Sequence, residues 1–164
     1  MLTRLRHLLD QHHVPYGVMP HPETFTARET VAALDVPGTE MAKTVIVKAR
    51  GRYIMLVLPA DERVDLAKVA RLLCANTVRL ATEQEMQKLF PDCEVGAMPP
   101  FGGLYDLEEW VDHSMIRMRE MVCEAGSHHE AVKLQTSDFM ALTHPTVADF
   151  HTGAVRHQES RTTH

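Results

Sequence analysis

The sequence predicts a single α+β domain, a mixed and mostly antiparallel β-sheet wrapped by helices. Three observations predict it. Two β-branched, apolar runs, KTVIVK from Lys43 and YIMLVL from Tyr53, flank an Arg50-Gly51 pair, the pattern of a central hairpin. Amphipathic helical spacing recurs on both sides of that hairpin, in Leu2, Leu5, Leu8 and Leu9 and again in Leu66, Val69, Ala70 and Leu73. The length, 164 residues, fits one domain, about 100–200 residues per domain being usual.

A chain of this size buries roughly 68–70% of its unfolded surface, enough for a self-sufficient core. Only 5% of the residues are aromatic, so aliphatic side chains and ten methionines must fill that core. The first helix is expected over residues 2–12, followed by a short strand over 14–21 that Pro15 and Pro20 interrupt. Thr26 and Glu29 have capping-box spacing and open a helix to about residue 34, which Pro37-Gly38 ends. After the hairpin comes a helix over 65–73. Thr82 and Glu85 form a second capping box and open a helix to about Phe90.

Residues 91–103 have loop character, with three prolines and three glycines in thirteen residues. Strands are expected over 110–112 and 120–124. A turn over 125–129 then leads to a return strand over 130–135, and Ser137 is placed to cap a last helix to about Leu142. After Phe150 the chain reads HTGAVRHQESRTTH, without apolar periodicity. The domain therefore spans residues 1–150, with 151–164 a flexible C-terminal tail.

Composition excludes several classes of function. The net charge is -5, so no global basic stripe exists to grip long nucleic acid, and any such contact must be local. Cys74, Cys93 and Cys123 are odd in number and far apart, which argues against a disulfide framework or a cysteine-rich zinc site and for a reducing, cytoplasmic setting. The charged N-terminal stretch is not a signal peptide, and no run approaches the roughly 20 apolar residues that span a bilayer. His12-His13 and His128-His129 are adjacent pairs and lack the i, i+4 spacing that suits zinc on a helix. GxSxG, GxGxxG and Walker-type loops are absent, so neither metal nor cofactor is expected.

Three features can carry chemistry. Lys43 opens an apolar strand, where its ammonium can stand over a pocket as a point charge for a phosphate; a solvated strand-end lysine gives the same pattern. The loop Gly96-Ala97-Met98-Pro99-Pro100-Phe101-Gly102-Gly103 combines close backbone approach at glycine with stiffness at proline. Such a loop can aim main-chain groups at a carbonyl or a water, or can simply connect two elements. The turn Gly126-Ser127-His128-His129 offers a hydroxyl and imidazoles, or is a polar hairpin tip. Met115, Met118 and Met121 recur at a spacing of three and read as gap fillers.

In order along the chain, His21-Pro22-Glu23-Thr24-Phe25-Thr26, Lys43 at the head of KTVIVK, LPADERVDLAKVARLL, a GxxxP loop with Gly96 and Pro100 followed by Phe101-Gly102, and Ala125-Gly126-Ser127-His128 together resemble the YbaK/ProX family. These are free-standing relatives of the editing domain associated with bacterial prolyl-tRNA synthetase. The resemblance covers roughly residues 21–150 and implies that fold. It also implies a hydrolase that cleaves the ester of a mischarged tRNA, without cofactor or protein nucleophile.

By the same resemblance Lys43, Gly96 and Pro100 are the catalytic set. Lys43 anchors the phosphate or ribose end, and the GxxxP main chain lies along the ester while water attacks. His21, Phe25, Thr26, Met98, Phe101, Gly102, Ser127 and His128 are the implied substrate-binding residues. The implied partners are the aminoacylated tRNA 3′ end and prolyl-tRNA synthetase. In the cysteinyl-tRNA(Pro) deacylase branch an aspartate follows the glycine-rich turn; Ala131 stands near that place here. The expected substrate is therefore tRNA(Pro) carrying a small amino acid such as alanine. Two other readings stand beside this one. One is a non-catalytic module of the same fold that binds tRNA or nucleotide, and the other a regulatory domain presenting apolar surface around Met115 and Met118.

Overall fold

The computed structural model describes residues 1–152. Helix α1 (Thr3–Gln11) leads into β1 (Tyr16–Pro20), followed by α2 (Ala27–Leu34), β2 (Ala42–Ala49) and β3 (Arg52–Pro59). Next come α3 (Leu66–Leu73), β4 (Val78–Leu80), α4 (Glu83–Leu89) and a 3₁₀ turn (Gly102–Tyr105). The chain continues through β5 (Glu108–Asp112), a second 3₁₀ turn (His113–Arg117), β6 (Glu120–Glu124), β7 (Glu130–Gln135), α5 (Thr136–Thr143) and β8 (Thr146–Ala148). No helix among the described residues is long and apolar enough to cross a membrane.

The expected hairpin is the centre of the molecule. Arg50 and Gly51 both adopt positive φ, 53° and 75°, a two-residue turn whose twist matches that of the strands it joins. β2 and β3 then pair along their whole length, from Ala42 opposite Pro59 to Ala49 opposite Arg52. The α+β expectation holds, but the strands form two sheets. One is a five-stranded mixed sheet in the order β4-β2-β3-β5-β8, with β5 parallel to both its neighbours. The other is an antiparallel sheet in the order β1-β7-β6. A parallel bridge between Met41 and Val122 joins the two. β4 and β8 escape sequence reading because three residues are too few for a periodicity of two to register.

The main core lies between the sheets and takes Ile46, Met55 and Val57 from the larger sheet and Cys123, Val132 and Leu134 from the smaller. Phe90, Phe101 and Phe139 add to it. Met115, Met118 and Met121 are all buried here, which corrects the reading of Met115 and Met118 as an exposed apolar face. A smaller cluster, Met41, Val122 and Ala131, is covered by Val31 and Leu34 of α2.

The helix ends differ from expectation in detail. The Thr82–Glu85 capping box is complete. At α2 only half of one forms: Thr26 Oγ1 accepts the Glu29 N–H, while the Glu29 carboxylate takes the Thr26 hydroxyl, not its backbone N–H. Asp35 in the left-handed conformation ends α2 two residues before Pro37. α5 starts at Thr136 without a side-chain cap, so Ser137 lies inside the helix it was expected to cap.

The described chain also continues in contact past Phe150. His151 bridges to Val64, and Thr152 N–H donates to Arg63 O at 3.0 Å. The knot that holds this end is Asp112, which is fully buried. Its oxygens accept from Phe150 N–H (2.9 Å), Ser114 N–H (3.1 Å), the Ser114 hydroxyl and His151 Nδ1. Burial works against its charge, yet the hydrogen bonds from Ser114, Phe150 and His151 hold the carboxyl below its ordinary value. Of the tail expected over 151–164, residues 151 and 152 are thus held against the domain, and 153–164 lie outside the described residues.

Candidate functional site

Register places Lys43. It pairs with Leu58, so the chain leaving β3 at Pro59 turns back beside it and brings Asp61, Glu62 and Arg63 to the head of β2. Thr26, Ala27 and Arg28 close the other side, giving a pocket of about 380 Å³ around Lys43. Burial first, and then the Arg63 guanidinium, hold the Lys43 ammonium below the ordinary lysine value, with Asp61 and Glu62 opposing. Lys43, Arg28 and Arg63 are three cations against two carboxylates, a locally positive pocket on an acidic chain. Lys43 makes no ion pair among the described residues. The pocket is therefore short of negative charge, which an incoming anion would supply.

The second part of the site is a meeting of three loops. Gly96 has φ +88°, and a Cβ there would sit 3.5 Å from Phe25 O and 3.6 Å from His128 Cε1. The rings of Phe25 and His128 meet beside it, tilted at 51° with centroids 5.0 Å apart. Backbone hydrogen bonds zip the glycine-proline loop to the histidine turn: Glu94 N–H donates to Gly126 O (2.9 Å) and Gly126 N–H to Ala97 O (2.8 Å). The Glu94 carboxylate accepts His128 N–H at 2.9 Å. On the other flank Thr24 N–H donates to His128 O (3.1 Å) and His21 N–H to His129 O (2.8 Å). Phe25, Gly96 and His128 thus form one unit, and Thr26, the neighbour of Phe25, lines the Lys43 pocket.

The remaining sequence candidates lie deeper or elsewhere. Met98 is buried, and its Sδ accepts Gly96 N–H at 3.2 Å. Pro100 is buried behind the loop. Phe101 points into the core, edge-on to Phe139 at 5.4 Å, and Gly102 N–H donates to the buried Glu109 at 2.6 Å. His21 is buried, with Nδ1 donating to Pro22 O (2.7 Å) and Nε2 without a partner among the described residues. Ser127 faces a different, open hollow with Leu2 and Pro91, and its Oγ accepts His129 N–H within the turn.

Sequence reading missed Arg28, Arg63 and Glu94, whose roles appear only once register and loop closure bring them in. It also missed Glu124. This β6 carboxyl pairs in register with Ala131. Its Oε1 accepts the Thr30 hydroxyl at 3.1 Å, and that hydroxyl shares a 2.7 Å bond with Thr24. Glu124 therefore pins the segment that carries Phe25. Burial pushes its carboxyl up to about 7, with the Thr30 hydrogen bond opposing. Elsewhere Asp112, His113, Asp149 and His151 bring metal-ligating atoms within 4.8 Å of one another. The Asp112 oxygens already accept chain donors, and Lys68 Nζ lies 3.2 Å from Asp149. The group reads as the clasp that closes β8.

A mixed sheet with a cationic pocket beside a loop tied by main-chain hydrogen bonds defines a domain suited to an anionic ligand. The comparisons give it a family. The chain belongs to the aminoacyl-tRNA editing domain family, whose profile matches residues 21–142. The multifunctional Ser/Thr-tRNA deacylase ProXp-y of Escherichia coli (strain K12) is 28% identical over 155 residues, 90% of each chain. A proline--tRNA ligase of Geobacillus thermodenitrificans is 29% identical over 114 residues, 68% of this chain. The chain spans 20% of that ligase's length. Among solved structures, hypothetical protein APE2540 superposes with a TM-score of 0.82 at 23% identity, over 90% of this chain and 99% of the other, a likeness of fold.

Proposed function

We propose that the chain is an aminoacyl-tRNA deacylase that hydrolyses the ester of a mischarged tRNA by positioned water. One observation carries the reading. The positive Lys43 pocket and the Phe25–Gly96–His128 unit are contiguous through Phe25-Thr26, so a ligand's anionic end and its ester can be held side by side. Lys43, with Arg28 and Arg63, takes the phosphate end of the tRNA 3′ terminus. The exposed Phe25 ring offers a face to the terminal base.

An aminoacyl ester is already activated, so the protein's work is to position water and stabilise the oxyanion. Among the described residues Gly96 N–H meets only a thioether sulfur, a weak acceptor, which leaves it a ready main-chain donor for that oxyanion. Pro100 and the buried Met98, Phe101 and Gly102 keep the loop in place from behind. His128, held by Glu94, and the buried His21 back the same loop junction.

The proposed substrate is a small amino acid such as alanine, carried on tRNA(Pro) in the cytoplasm. The E. coli relative is named for serine and threonine, so the test is a panel of alanyl-, seryl-, threonyl- and cysteinyl-tRNA incubated with pure protein and with Lys43→Ala. Release of one or more amino acids by the wild type, and none by the variant, is the expected result. Binding of every tRNA without release would instead make the chain a non-catalytic module of the same fold. Prolyl-tRNA synthetase is the proposed partner, testable by whether its addition speeds the release.

A further inference from the structure

We propose that Glu109 is a positioning residue for the 96–102 loop: its buried carboxyl holds Gly102 N–H and so fixes the loop whose main chain faces the ester. The catalytic consequence rests on the deacylase reading; the hold on the loop does not. Glu109 lies on β5, opposite Met55 of β3, and its side chain enters the body of the protein. Oε1 accepts Gly102 N–H at 2.6 Å, and Oε2 is buried without a partner among the described residues.

Beyond Ala97, whose carbonyl accepts Gly126 N–H, the loop has few other anchors. Pro99 and Pro100 have no N–H to give. Phe101 N–H donates within the loop, to Pro99 O at 2.8 Å, and Gly102 O accepts Leu107 N–H just outside β5. Among the described residues the Gly102–Glu109 bond is the one hydrogen bond that ties residues 98–102 to a strand. The approach is close: a Cβ on Gly102 would lie 3.1 Å from Glu109 Oε1 and 3.0 Å from Leu107 O, so a side chain there would press on both.

Burying a carboxyl with one donor is costly, and an apolar side chain on β5 would avoid the cost. What the carboxyl supplies in return is an acceptor at one fixed point under the loop. Burial pushes its ionisation up to about 8, the Gly102 bond opposing, so the neutral acid does this work at pH 7. The buried Cys123 thiol on β6 is a titratable neighbour that feels Glu109. Glutamine keeps the acceptor and the shape, whereas leucine keeps only the bulk.

The test uses full-length wild type, Glu109→Gln and Glu109→Leu, read by the Gly102 amide resonance in ¹⁵N spectra and by deacylation kinetics. Glu109→Leu should move the Gly102 amide upfield and lower kcat about tenfold or more, since small misplacements of reacting groups cost that much. KM should change by less than about twofold, the mark of an interaction that matters in the transition state. Glu109→Gln should restore both readouts and abolish the shift of the Gly102 amide that the wild type shows as pH rises through about 8. An unmoved Gly102 amide in Glu109→Leu, a wild-type rate from that variant, or a folded Glu109→Gln as impaired as the leucine variant would each overturn the proposal. If Glu109→Leu fails to fold, the pH response of Gly102 in wild type against Glu109→Gln decides it. If the wild type cleaves no mischarged tRNA, the deacylase reading alone fails, and the amide readout still judges the hold on the loop.

Discussion

Glu124→Gln offers a direct measurement of what the buried carboxyl under the Phe25 segment costs. In the unfolded chain Glu124 titrates near 4.5; in the folded chain burial raises it to about 7. Below the lower value both states hold the proton and nothing is lost. As pH rises from there to about 7, the unfolded chain has released its proton while the folded chain keeps it. Stability then falls by about 1.4 kcal/mol per pH unit, about 3 kcal/mol in all, and levels off above.

Glutamine retains the acceptor for the Thr30 hydroxyl and removes the titration. At the acid end the variant should match the wild type within about 1 kcal/mol, the worth of one altered hydrogen bond. Near pH 8 it should be the more stable by about 3 kcal/mol. Urea unfolding followed by circular dichroism across this range reads the difference. Equal pH slopes for the two proteins would refute the burial argument, and with it the assignment of Glu124 as the pin beneath Thr24 and Thr30.

Three further outcomes follow from the same geometry. Lys43→Ala should lower kcat/KM for a mischarged tRNA about 100-fold or more, the usual scale for losing a charged stabiliser; its thermal midpoint should stay close to wild type, because Lys43 makes no ion pair among the described residues. Gly96→Ala places a side chain at φ +88° against Phe25 and His128; it should cost about 1–3 kcal/mol by urea unfolding and most of the activity, whereas Gly103→Ala, which meets open space, should cost neither. Asp112→Ala leaves buried donors from Phe150 and Ser114 unpaired and should destabilise by about 3–5 kcal/mol in the same assay, a small loss refuting the clasp.

Much of the fold was legible because its central elements follow simple rules. The β2–β3 hairpin reads from two β-branched runs and Arg50-Gly51, and β6 and β7 fall on the residues expected of them. The division into two sheets was not legible. It depends on β1 pairing with β7 across more than a hundred residues, and nothing local in YGVMP announces that partner. The same distinction runs through the site. Lys43 and Gly96 are visible because a strand-opening lysine and a glycine-proline loop are local patterns. Arg28, Arg63, Glu94 and Glu124 acquire their roles from register and loop closure, and as single charged residues in sequence they resemble any solvated surface.

The charges around the site also set the conditions in which it is rigid. Asp112 and Glu130 are held below their ordinary values, Asp112 by Ser114, Phe150 and His151 against burial and Glu130 by the N-terminal amine. Each adds stability that is present above about pH 4 and lost as pH falls through its folded value. Glu124 and Glu109 act in the opposite sense: raised by burial to about 7 and about 8, each withdraws stability as pH climbs from 4.5. The two sets cross on the acid side of neutrality, so stability should peak there and decline towards pH 8. Both groups that produce the decline lie under the site, one beneath the loop of Gly96 and one beneath the segment of Phe25. An alkaline loss of activity should therefore precede global unfolding. In a Glu109→Gln, Glu124→Gln double variant, both the activity and the stability profile should flatten together.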